Sequence, residues 1–443
     1  MRRIAVPLVG AFASGMAPSL VAAALVFMPM GDEAKAAFVS SAMCGMIAAS
    51  LAGGFFADSF GRIRAIRLAG LVALVSTPFI CAHQGMFALA LAGRFAQGVG
   101  LGLFSVLLPL YIAETQTADS RGRSMAFYQF FNSLGGIMGS FLCLAVASWG
   151  LTPSLAWRVD ILLVFPVLAA FFVGSYLGKA GSDPTCPLVE VGSDPTRPLV
   201  EAGSDPTSKV GSGPTCPLDE VGSDPISQVG SGPRQPKGDR NVKRALALAV
   251  AVLALTSATG VGAIMHYSVM MMSAAGLDGA RANTADTVMR ATGLFAALLS
   301  AAFIDRRGRG FVLKIGTAGA AAALFAAGCM FCGLKMGSVP ASFASGVAVA
   351  ALLCVFAAFF SFGPGVCVWV VAAELLPASV RAKGMSFSLL CNQAVTAAVS
   401  FAFLPVASRF GFAPLFFVFA LASVVYFAIA VCLERKCHVQ TAM

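Results

Sequence analysis

The sequence predicts an all-α membrane protein in which twelve transmembrane helices form two six-helix bundles. Of the 443 residues, 58% are hydrophobic, and the mean hydropathy is +0.84. The apolar residues are gathered in repeated stretches of about 20 residues or more, the length that crosses a bilayer as a helix. A third observation is that one set of charged motifs recurs in each half of the chain. The composition therefore requires a lipid bilayer as the surroundings of a multi-pass integral membrane protein.

The apolar stretches fall into two groups of six. In chain order they cover 4–30, 36–57, 65–83, 86–113, 124–148 and 155–178, and then 243–272, 284–304, 311–335, 342–373, 384–408 and 412–433. The first stretch follows two arginines, as in a signal peptide, but it is too long for a cleaved one, so it is kept as the first span. These groups predict an N-terminal six-helix bundle over residues 1–178 and a C-terminal six-helix bundle over residues 243–443.

The segment between the groups, 179–242, has a different composition. Units such as GSDPTCPLVEV and GSDPTRPLVEA recur along it, and each contains Gly and Pro, which break helices. The units hold too few apolar residues to bury a face. The segment is therefore predicted to be a disordered tandem-repeat linker.

Basic residues flank the spans unequally. If both termini and the linker share one side of the membrane, that side collects most of the flanking Arg and Lys. The opposite side then holds only six: Lys35, Arg158, Arg281, Arg290, Lys335 and Arg409. The positive-inside rule thus predicts that the termini and the linker are cytoplasmic, and the plasma membrane is the default location. This topology explains the net charge of +10 without a nucleic-acid partner.

The reactive side chains form no pattern typical of an enzyme. The 12 cysteines lie mostly in apolar spans without paired spacing, as packing residues do. There is no metal-binding cluster, nucleotide-binding loop or nucleophile–base pair in the sequence. We therefore expect no enzymatic activity, no cofactor and no bound metal.

Charged motifs follow equivalent spans in the two halves. Asp-x-x-Gly-Arg follows the second and eighth spans, and a Glu and an Arg seven positions apart follow the fourth and tenth. Two bundles related by an axis along the membrane normal would place all of these motifs on the cytoplasmic face. They are predicted to form a cytoplasmic gate, whose ion pairs join the bundles in one state and release them in the other. Its residues are Asp58, Arg62, Glu114, Arg121, Asp305, Arg309, Glu374 and Arg381.

These motifs carry a resemblance to a known family. AGRFAQGVGLGLFSVLLPLYIAETQTADSRG is similar to the GR-x3-G-x-G-x-G … P-x-Y-x2-E-x2-P-x3-RG signature of the sugar porter family, within the major facilitator superfamily. SFGPGVCVWVVAAELLPASVRAKG is similar to its GPGP-x-PW … E-x2-P-x3-R-x2-G signature. Thr117, Val366 and Val368 stand where the family usually has proline. The resemblance implies a carrier that binds a sugar or polyol between its bundles and works by alternating access.

Amide side chains are the first candidates for the substrate site. Gln129 and Asn132 share one face of the fifth span, and Asn392 and Gln393 lie in the eleventh. Amides both donate and accept hydrogen bonds, which suits a polyhydroxylated solute, and the resemblance implies substrate-binding amides in these two spans. The alternative for each amide is a hydrogen bond between helices.

Other candidates come from the resemblance and from charge. The resemblance gives Trp369 a position where a ring could stack on a sugar, with ordinary packing as the alternative. It also places Thr256 and Ser257 where the family has two glutamines, which puts hexose in doubt as the substrate. Arg94 lies within the fourth span and is expected to face the cavity or backbone carbonyls, or to bind an anionic substrate. His266 in the seventh span is expected to be packed.

Proton coupling depends on a titratable group inside the membrane. The resemblance implies an acid in the first span of proton-coupled relatives, and Ala13 stands at that place here. No Asp or Glu is expected near the middle of any span. The sequence therefore favours a facilitator of a sugar or polyol over two alternatives, a proton symporter of a sugar or small organic anion and a non-transporting membrane sensor. It specifies neither the solute nor an oligomeric state.

Overall fold

The structure, a computed structural model, describes residues 2–81, 86–116, 118–177, 239–377 and 380–441. Within these ranges the chain forms helices α1 (Arg2–Phe27), α2 (Asp32–Phe60), α3 (Arg62–Ile80), α4 (Phe87–Thr115), α5 (Ala118–Ser148), α6 (Pro153–Leu162), α7 (Val164–Leu177), α8 (Asp239–Ala258), α9 (Val261–Ala274), α10 (Gly279–Arg307), α11 (Arg309–Lys335), α12 (Phe343–Phe362), α13 (Pro364–Leu375), α14 (Arg381–Phe410) and α15 (Ala413–Thr441).

Every predicted span has a helical counterpart. In the described ranges, 12 segments are long and apolar enough to cross a membrane, so the predicted all-α membrane fold is confirmed. The sixth, seventh and tenth spans each consist of two consecutive helices, namely α6 with α7, α8 with α9, and α12 with α13. The predicted linker lies outside the described residues, apart from its last four, which belong to the first turn of α8.

The broken spans have local causes. Gly260 separates α8 from α9 with φ +79, a left-handed conformation that glycine adopts without the steric penalty of a Cβ atom. Gly363 and Pro364 separate α12 from α13, with the proline in the first turn of the new helix. Pro166 follows the break between α6 and α7, where it cannot donate a hydrogen bond to Leu162. The ends of these half-helices lie inside the bilayer-spanning part of the protein.

Helix pairing repeats between the halves of the chain. In the first half α1 packs on α5, α2 on α4, and α3 on both α4 and α7. In the second half α8 packs on α14, α10 on α12, and α11 on both α12 and α15. Each half thus pairs its first span with its fifth, its second with its fourth, and its third with its fourth and sixth.

Glycines let neighbouring helices of the first bundle approach closely. A Cβ atom built at Gly15 would overlap the backbone of Asn132, and one at Gly135 would overlap the backbone of Phe12. Small residues bring helix backbones together in this way in membrane proteins. The contact fixes α1 against α5 and sets which faces of the two helices turn towards the centre of the protein.

The apolar cores distinguish the two sides of the molecule. We call the side that holds Arg2 and Thr441 the terminal face and the opposite side the far face. At the far face both bundles share one core, which includes Leu25 and Phe38 from the first bundle and Tyr267 from the second. At the terminal face each bundle has a core of its own. The buried apolar contact between the bundles is therefore concentrated in the far-face half.

Candidate functional site

A cavity of about 420 Å³ lies between the two bundles. Helices α1 and α5 form one wall, and α9, α10, α12 and α13 form the other. Most of the lining is apolar or glycine, and the volume is typical of a small-molecule site. The polar side chains that line it are Ser14, Gln129, Asn132, Ser133, His266, Arg290 and Ser361.

The two amides predicted in the fifth span lie on the cavity wall. Gln129 is exposed there, and Asn132 is half-buried. The Asn132 Nδ2 donates a hydrogen bond of 3.2 Å to the carbonyl oxygen of Ala11, which ties α5 to α1. Gln129 is thus the amide with the greater freedom to meet a solute.

The amide predicted in the eleventh span is engaged elsewhere. The Asn392 Nδ2 donates to the carbonyl oxygen of Leu253 at 2.7 Å and to the Ser257 Oγ at 2.6 Å. The Thr256 hydroxyl lies 3.2 Å from the hydroxyl oxygen of Tyr426. These contacts join α8 to α14 and α15, so the three predicted residues Asn392, Ser257 and Thr256 connect helices within the second bundle.

Gln393 and Trp369 are also away from the cavity wall. Gln393 is half-buried, and the side chain of Trp369 is 43% exposed. Neither residue lines the cavity between the bundles. In this conformation the predicted tryptophan does not lie beside the amides of the fifth span.

Arg94 differs from its expected position. It is 2% exposed, its Nη1 donates a hydrogen bond to the Gln97 Oε1, and its guanidinium carbon lies 5.6 Å from the ring centroid of Phe38. Gln97 in turn donates to the Thr77 hydroxyl at 3.3 Å. Arg94 is therefore packed inside the first bundle, away from the cavity wall.

A different arginine lies on the cavity wall. The side chain of Arg290 is 10% exposed, and its Nε is 2.8 Å from the Asp286 Oδ2. Its Nη2 donates to the carbonyl oxygen of Met265 at 2.8 Å. Arg290 lies near the start of the apolar stretch 284–304, and for that reason it was expected to flank the span on the opposite side. The helix in fact begins at Gly279, with Asp278 as its N-cap, so Arg290 lies well inside the span.

Asp286 is a buried carboxylate with partners on three helices. Its Oδ1 accepts from the Ser268 hydroxyl and its Oδ2 from the Ser140 hydroxyl, both at 2.6 Å. Ser140 belongs to α5 and Ser268 to α9, so the group links the two bundles. Its side chain is 1% exposed. A carboxylate buried in this way is stable because a cation and two hydroxyls satisfy it.

A second acid is buried inside a span. Asp160 of α6 is 0% exposed, and among the described residues neither of its carboxyl oxygens has a hydrogen-bond partner. No Asp or Glu was expected near the middle of a span; Asp160 and Asp286 lie nearer the starts of the spans Ser154–Tyr176 and Gly279–Ile304 and are nevertheless buried. The spacing of Asp286 and Arg290, four positions apart in an apolar helix, was the sequence signal for the buried pair.

His266 belongs to the cavity lining and is itself 5% exposed. Its Nδ1 lies 2.6 Å from the carbonyl oxygen of Gly262, a contact that requires Nδ1 to carry the hydrogen. Its Nε2 is buried and has no hydrogen-bond partner among the described residues. A packed histidine was expected here, and its Nδ1 is hydrogen-bonded within its own helix.

The structure describes only part of the predicted gate. The side chains of Asp58, Glu114, Arg121, Asp305, Glu374 and Arg381 lie outside the described part of the structure. Arg62 and Arg309 start α3 and α11 directly after Gly61 and Gly308. These glycines have nearly the same backbone angles, φ 79 with ψ 156 and φ 80 with ψ 162. The two Asp-x-x-Gly-Arg loops therefore turn alike, and the gate itself stays a prediction.

No group of three or more His, Cys, Asp or Glu side chains that could hold a metal ion occurs among the described residues.

The chain matches the sequence model of one known protein family. The family described as "Sugar (and other) transporter" matches residues 15–177 and 233–441. The chain belongs to this sugar transporter family. The match covers both halves of the chain and leaves out most of the segment between them.

Individual members of the sugar transporter family resemble the chain over most of its length. "Probable polyol transporter 4" of Arabidopsis thaliana is 27% identical over 377 residues, which cover 84% of this chain and 70% of that protein. The galactose-proton symporter of Escherichia coli (strain K12) is 24% identical over 389 residues, 88% of this chain and 80% of that protein.

Solved structures of the sugar transporter family share the fold. A crystal structure of the D-xylose-proton symporter superposes with a TM-score of 0.75 at 16% identity, over 97% of this chain and 96% of that one. An inward open conformation of the xylose transporter XylE from E. coli gives a TM-score of 0.73 at 17% identity, over 96% of this chain and 94% of that one. The two-bundle major facilitator fold predicted from the sequence is thus confirmed.

Proposed function

We propose that this protein carries a sugar or polyol across a membrane by alternating access. The observation that carries the proposal is the cavity between the bundles, where Gln129, His266 and Arg290 provide hydrogen-bonding groups in a mostly apolar lining. Membership of the sugar transporter family supports it, as do relatives named for polyols, xylose and galactose. We expect no enzymatic activity.

The mechanism follows from the position of the cavity. A solute bound between two bundles is released on either side if the bundles separate first at one face and then at the other. The shared core joins the bundles at the far face in this structure. We propose that ion pairs of the predicted gate join them at the terminal face in the alternate state. We propose that the terminal face is cytoplasmic, as the positive-inside rule predicts, and that the protein lies in the plasma membrane.

Facilitated diffusion is the proposed mode of transport. Ala13 is packed in the core of the first bundle, at the position where the resemblance implies an acid in proton-coupled relatives. Asp286 is balanced by Arg290. The second candidate is proton symport, and Asp160 favours it, because a symporter needs a carboxyl group inside the membrane and this buried one has no cation paired with it among the described residues.

Uptake into liposomes tests the proposal. The purified protein is reconstituted, and uptake of radiolabelled hexoses and polyols is measured with and without an imposed pH gradient. We expect uptake that equilibrates and ignores the gradient, and that weakens in a Gln129→Ala variant which reconstitutes normally. Accumulation driven by the gradient, and lost in Asp160→Asn, would identify a symporter. Binding of a solute without flux would contradict transport and support a sensor.

A further inference from the structure

We infer that Ser140 and Asp286 form a polar latch that closes the cavity towards the far face, and that the hydrogen bond between them breaks when the bundles part at that face. The inference rests on the proposed function and deepens it, because it assigns the closure of one face to two named residues. It is carried by the position of the pair directly beyond the cavity, and by the way in which the Asp286 oxygens are shared between the bundles.

Asp286 and its two serine partners lie just beyond the cavity on three helices. Helix α5 runs towards the far face, and its last lining residue, Gly136, precedes Ser140 by four positions. On α9, which runs the same way, the last lining residue is His266, and it precedes Ser268 by two positions. Helix α10 runs in the opposite direction, and Asp286 precedes its first lining residue by three positions. The three side chains therefore form a hydrogen-bonded layer between the cavity and the far face.

The two oxygens of Asp286 divide their donors between the bundles. The Oδ2 accepts from the Ser140 hydroxyl at 2.6 Å and from the Arg290 Nε at 2.8 Å. The Oδ1 accepts from the Ser268 hydroxyl at 2.6 Å. Of these three donors, Ser140 alone belongs to the first bundle. When the bundles part at the far face, Asp286 loses that donor and keeps a cation and a hydroxyl, which still satisfy its charge.

This division of donors makes the contact between the bundles reversible. Separating a buried carboxylate from its cation is strongly unfavourable. Arg290 lies four positions after Asp286 on the same helix, so the ion pair moves as a unit. The bond from Ser140 is charge-assisted, and such bonds stabilise a structure more than neutral ones do. The latch can therefore hold the far face closed in this structure and still break without separating the ion pair.

The latch closes a junction that the shared apolar core does not cover. The helices of the first bundle that contribute buried residues to this core are α1, α2, α3 and α6, and within the described part of the chain α5 contributes none. Helix α5 nevertheless packs closely on α10, because a Cβ atom built at Gly136 would lie 4.0 Å from the Arg290 Cδ. The hydrogen bond from Ser140 to Asp286 therefore joins the bundles where the shared core does not.

Distance measurements across the far face test the latch. Spin labels are coupled to azide-bearing amino acids that replace Thr152, between α5 and α6, and Ala280, near the start of α10, so the native cysteines stay in place. Both positions are exposed at the far face. The full-length protein is reconstituted, and the distances between the labels are measured without solute. Wild-type protein should populate mainly the shorter distance, and Ser140→Ala should raise the ratio of longer to shorter distances about tenfold.

Ser268→Ala is the matched control. Ser268 donates to the same carboxylate at the same distance as Ser140, and both residues are buried, at 0% and 1% exposed. Ser268 lies in the same bundle as Asp286, however, so its bond is kept when the bundles part. Ser268→Ala should therefore lower the unfolding temperature as Ser140→Ala does, and leave the distance populations unchanged. Equal shifts in the two variants, or no shift in Ser140→Ala, would overturn the inference.

A second variant decides the question if Ser140→Ala does not fold. Ser140→Cys keeps nearly the same volume and replaces the hydroxyl by a thiol, which is a weak donor. It should shift the distances in the same direction as Ser140→Ala, by a smaller factor. Unchanged distances in Ser140→Cys would then contradict the latch.

The distance measurement requires no solute, so it separates this inference from the proposed function. A protein that moves no solute but shows the shift in Ser140→Ala and not in Ser268→Ala would contradict transport and support the latch. A protein that takes up solute but has the same distances in Ser140→Ala as in wild type would support transport and contradict the latch.

Discussion

Polar side chains in apolar helices have very different surroundings in this protein, although they look alike in the sequence. Gln129 and Asn392 both lie in predicted spans, and both were expected at the substrate site. In the structure Gln129 is exposed on the cavity wall, whereas Asn392 is 9% exposed and bonded to α8. Which of these surroundings an amide has depends on how its helix is rotated about its own axis. That rotation is set by packing and is not visible in residue spacing alone.

Replacement of Asn392 should affect stability first. Asn392→Ala removes the hydrogen bonds to the Leu253 carbonyl oxygen and the Ser257 hydroxyl, both buried between helices. Buried groups left without a partner cost about 1–3 kcal/mol. We therefore expect a lower unfolding temperature in detergent for Asn392→Ala and little change for the control Gln393→Ala at the next position. A stable Asn392→Ala protein with weaker uptake would return Asn392 to the substrate site.

The two buried arginines, Arg94 and Arg290, differ in how well the sequence predicts their positions. An arginine at the cavity was expected, and the structure has one, but it is Arg290 instead of Arg94. The Nη1 of Arg94 bonds to Gln97, a partner that the spacing of three along one helix could have suggested, whereas its Nε has no partner among the described residues. Arg290 was expected at the end of a span because it lies near the start of the apolar stretch 284–304, but its helix begins at Gly279 and places it deeper. Span ends assigned from hydropathy are least reliable where a helix begins with polar residues.

The helices themselves were largely predictable, and their breaks were not. Apolar stretches of the right length predicted all twelve spans, since crossing a bilayer imposes a length and a composition. Hydropathy does not detect a change of backbone direction within such a stretch. The Gly363–Pro364 pair was a signal for one break, because proline cannot continue a helix and favours a first-turn position. Gly260 gave no such signal, since glycine is common in transmembrane helices.

The break at Gly260 should tolerate no side chain. Gly260 has φ +79, and a Cβ atom there would overlap the ring of Phe419. Gly260→Ala should therefore lower the unfolding temperature, because the left-handed conformation costs about 1–2 kcal/mol for a residue with a side chain and the ring must also move. Gly174→Ala in α7 is the control, as a Cβ atom there meets nothing within 4 Å. It should be neutral or slightly stabilising, since alanine favours a helix over glycine. Equal stability of the two variants would contradict the account of the break.

The two halves of the molecule have the same helix pairing, as their repeated sequence motifs predict. The motifs after equivalent spans predicted two similar halves, and the structure pairs the helices in the same way in each. The cavity between the bundles follows from that symmetry. The identity of the residues on its walls does not, because the first half contributes α1 and α5 while the second contributes the unbroken α10 together with parts of the broken spans, α9, α12 and α13. The sequence therefore predicts a cavity between the bundles more completely than it predicts the residues on the cavity walls.

Weakening the gate should change the balance between conformations. Glu374→Gln or Arg381→Ala would remove an ion pair that we predict at the terminal face, where the bundles have separate cores. Exposed pairs are worth about 0–1 kcal/mol, so we expect a shift of up to about fivefold towards forms open at that face. The labelling rate of a cysteine that replaces Ser133 on the cavity wall would measure this shift.

An exposed ion pair at the far face provides the control for the gate variants. Arg409 and Glu33 approach to 3.9 Å at the far face, and both side chains are more than 70% exposed, at 73% and 83%. Glu33→Gln should leave the labelling rate unchanged, because a long, solvated pair contributes little. Unchanged labelling in both gate variants would count against the gate.

The shared core at the far face should make the conformational equilibrium of the protein depend on temperature. Opening that face for release would bring water to Leu25, Phe38, Tyr267 and their neighbours, which are now buried against one another. Hydration of apolar surface has a large positive heat capacity, and the association of such surface weakens on cooling. The equilibrium between the two orientations should thus follow a curved temperature dependence, with cold favouring the form open at the far face. The resting orientation of the carrier would then be set by temperature as well as by solute.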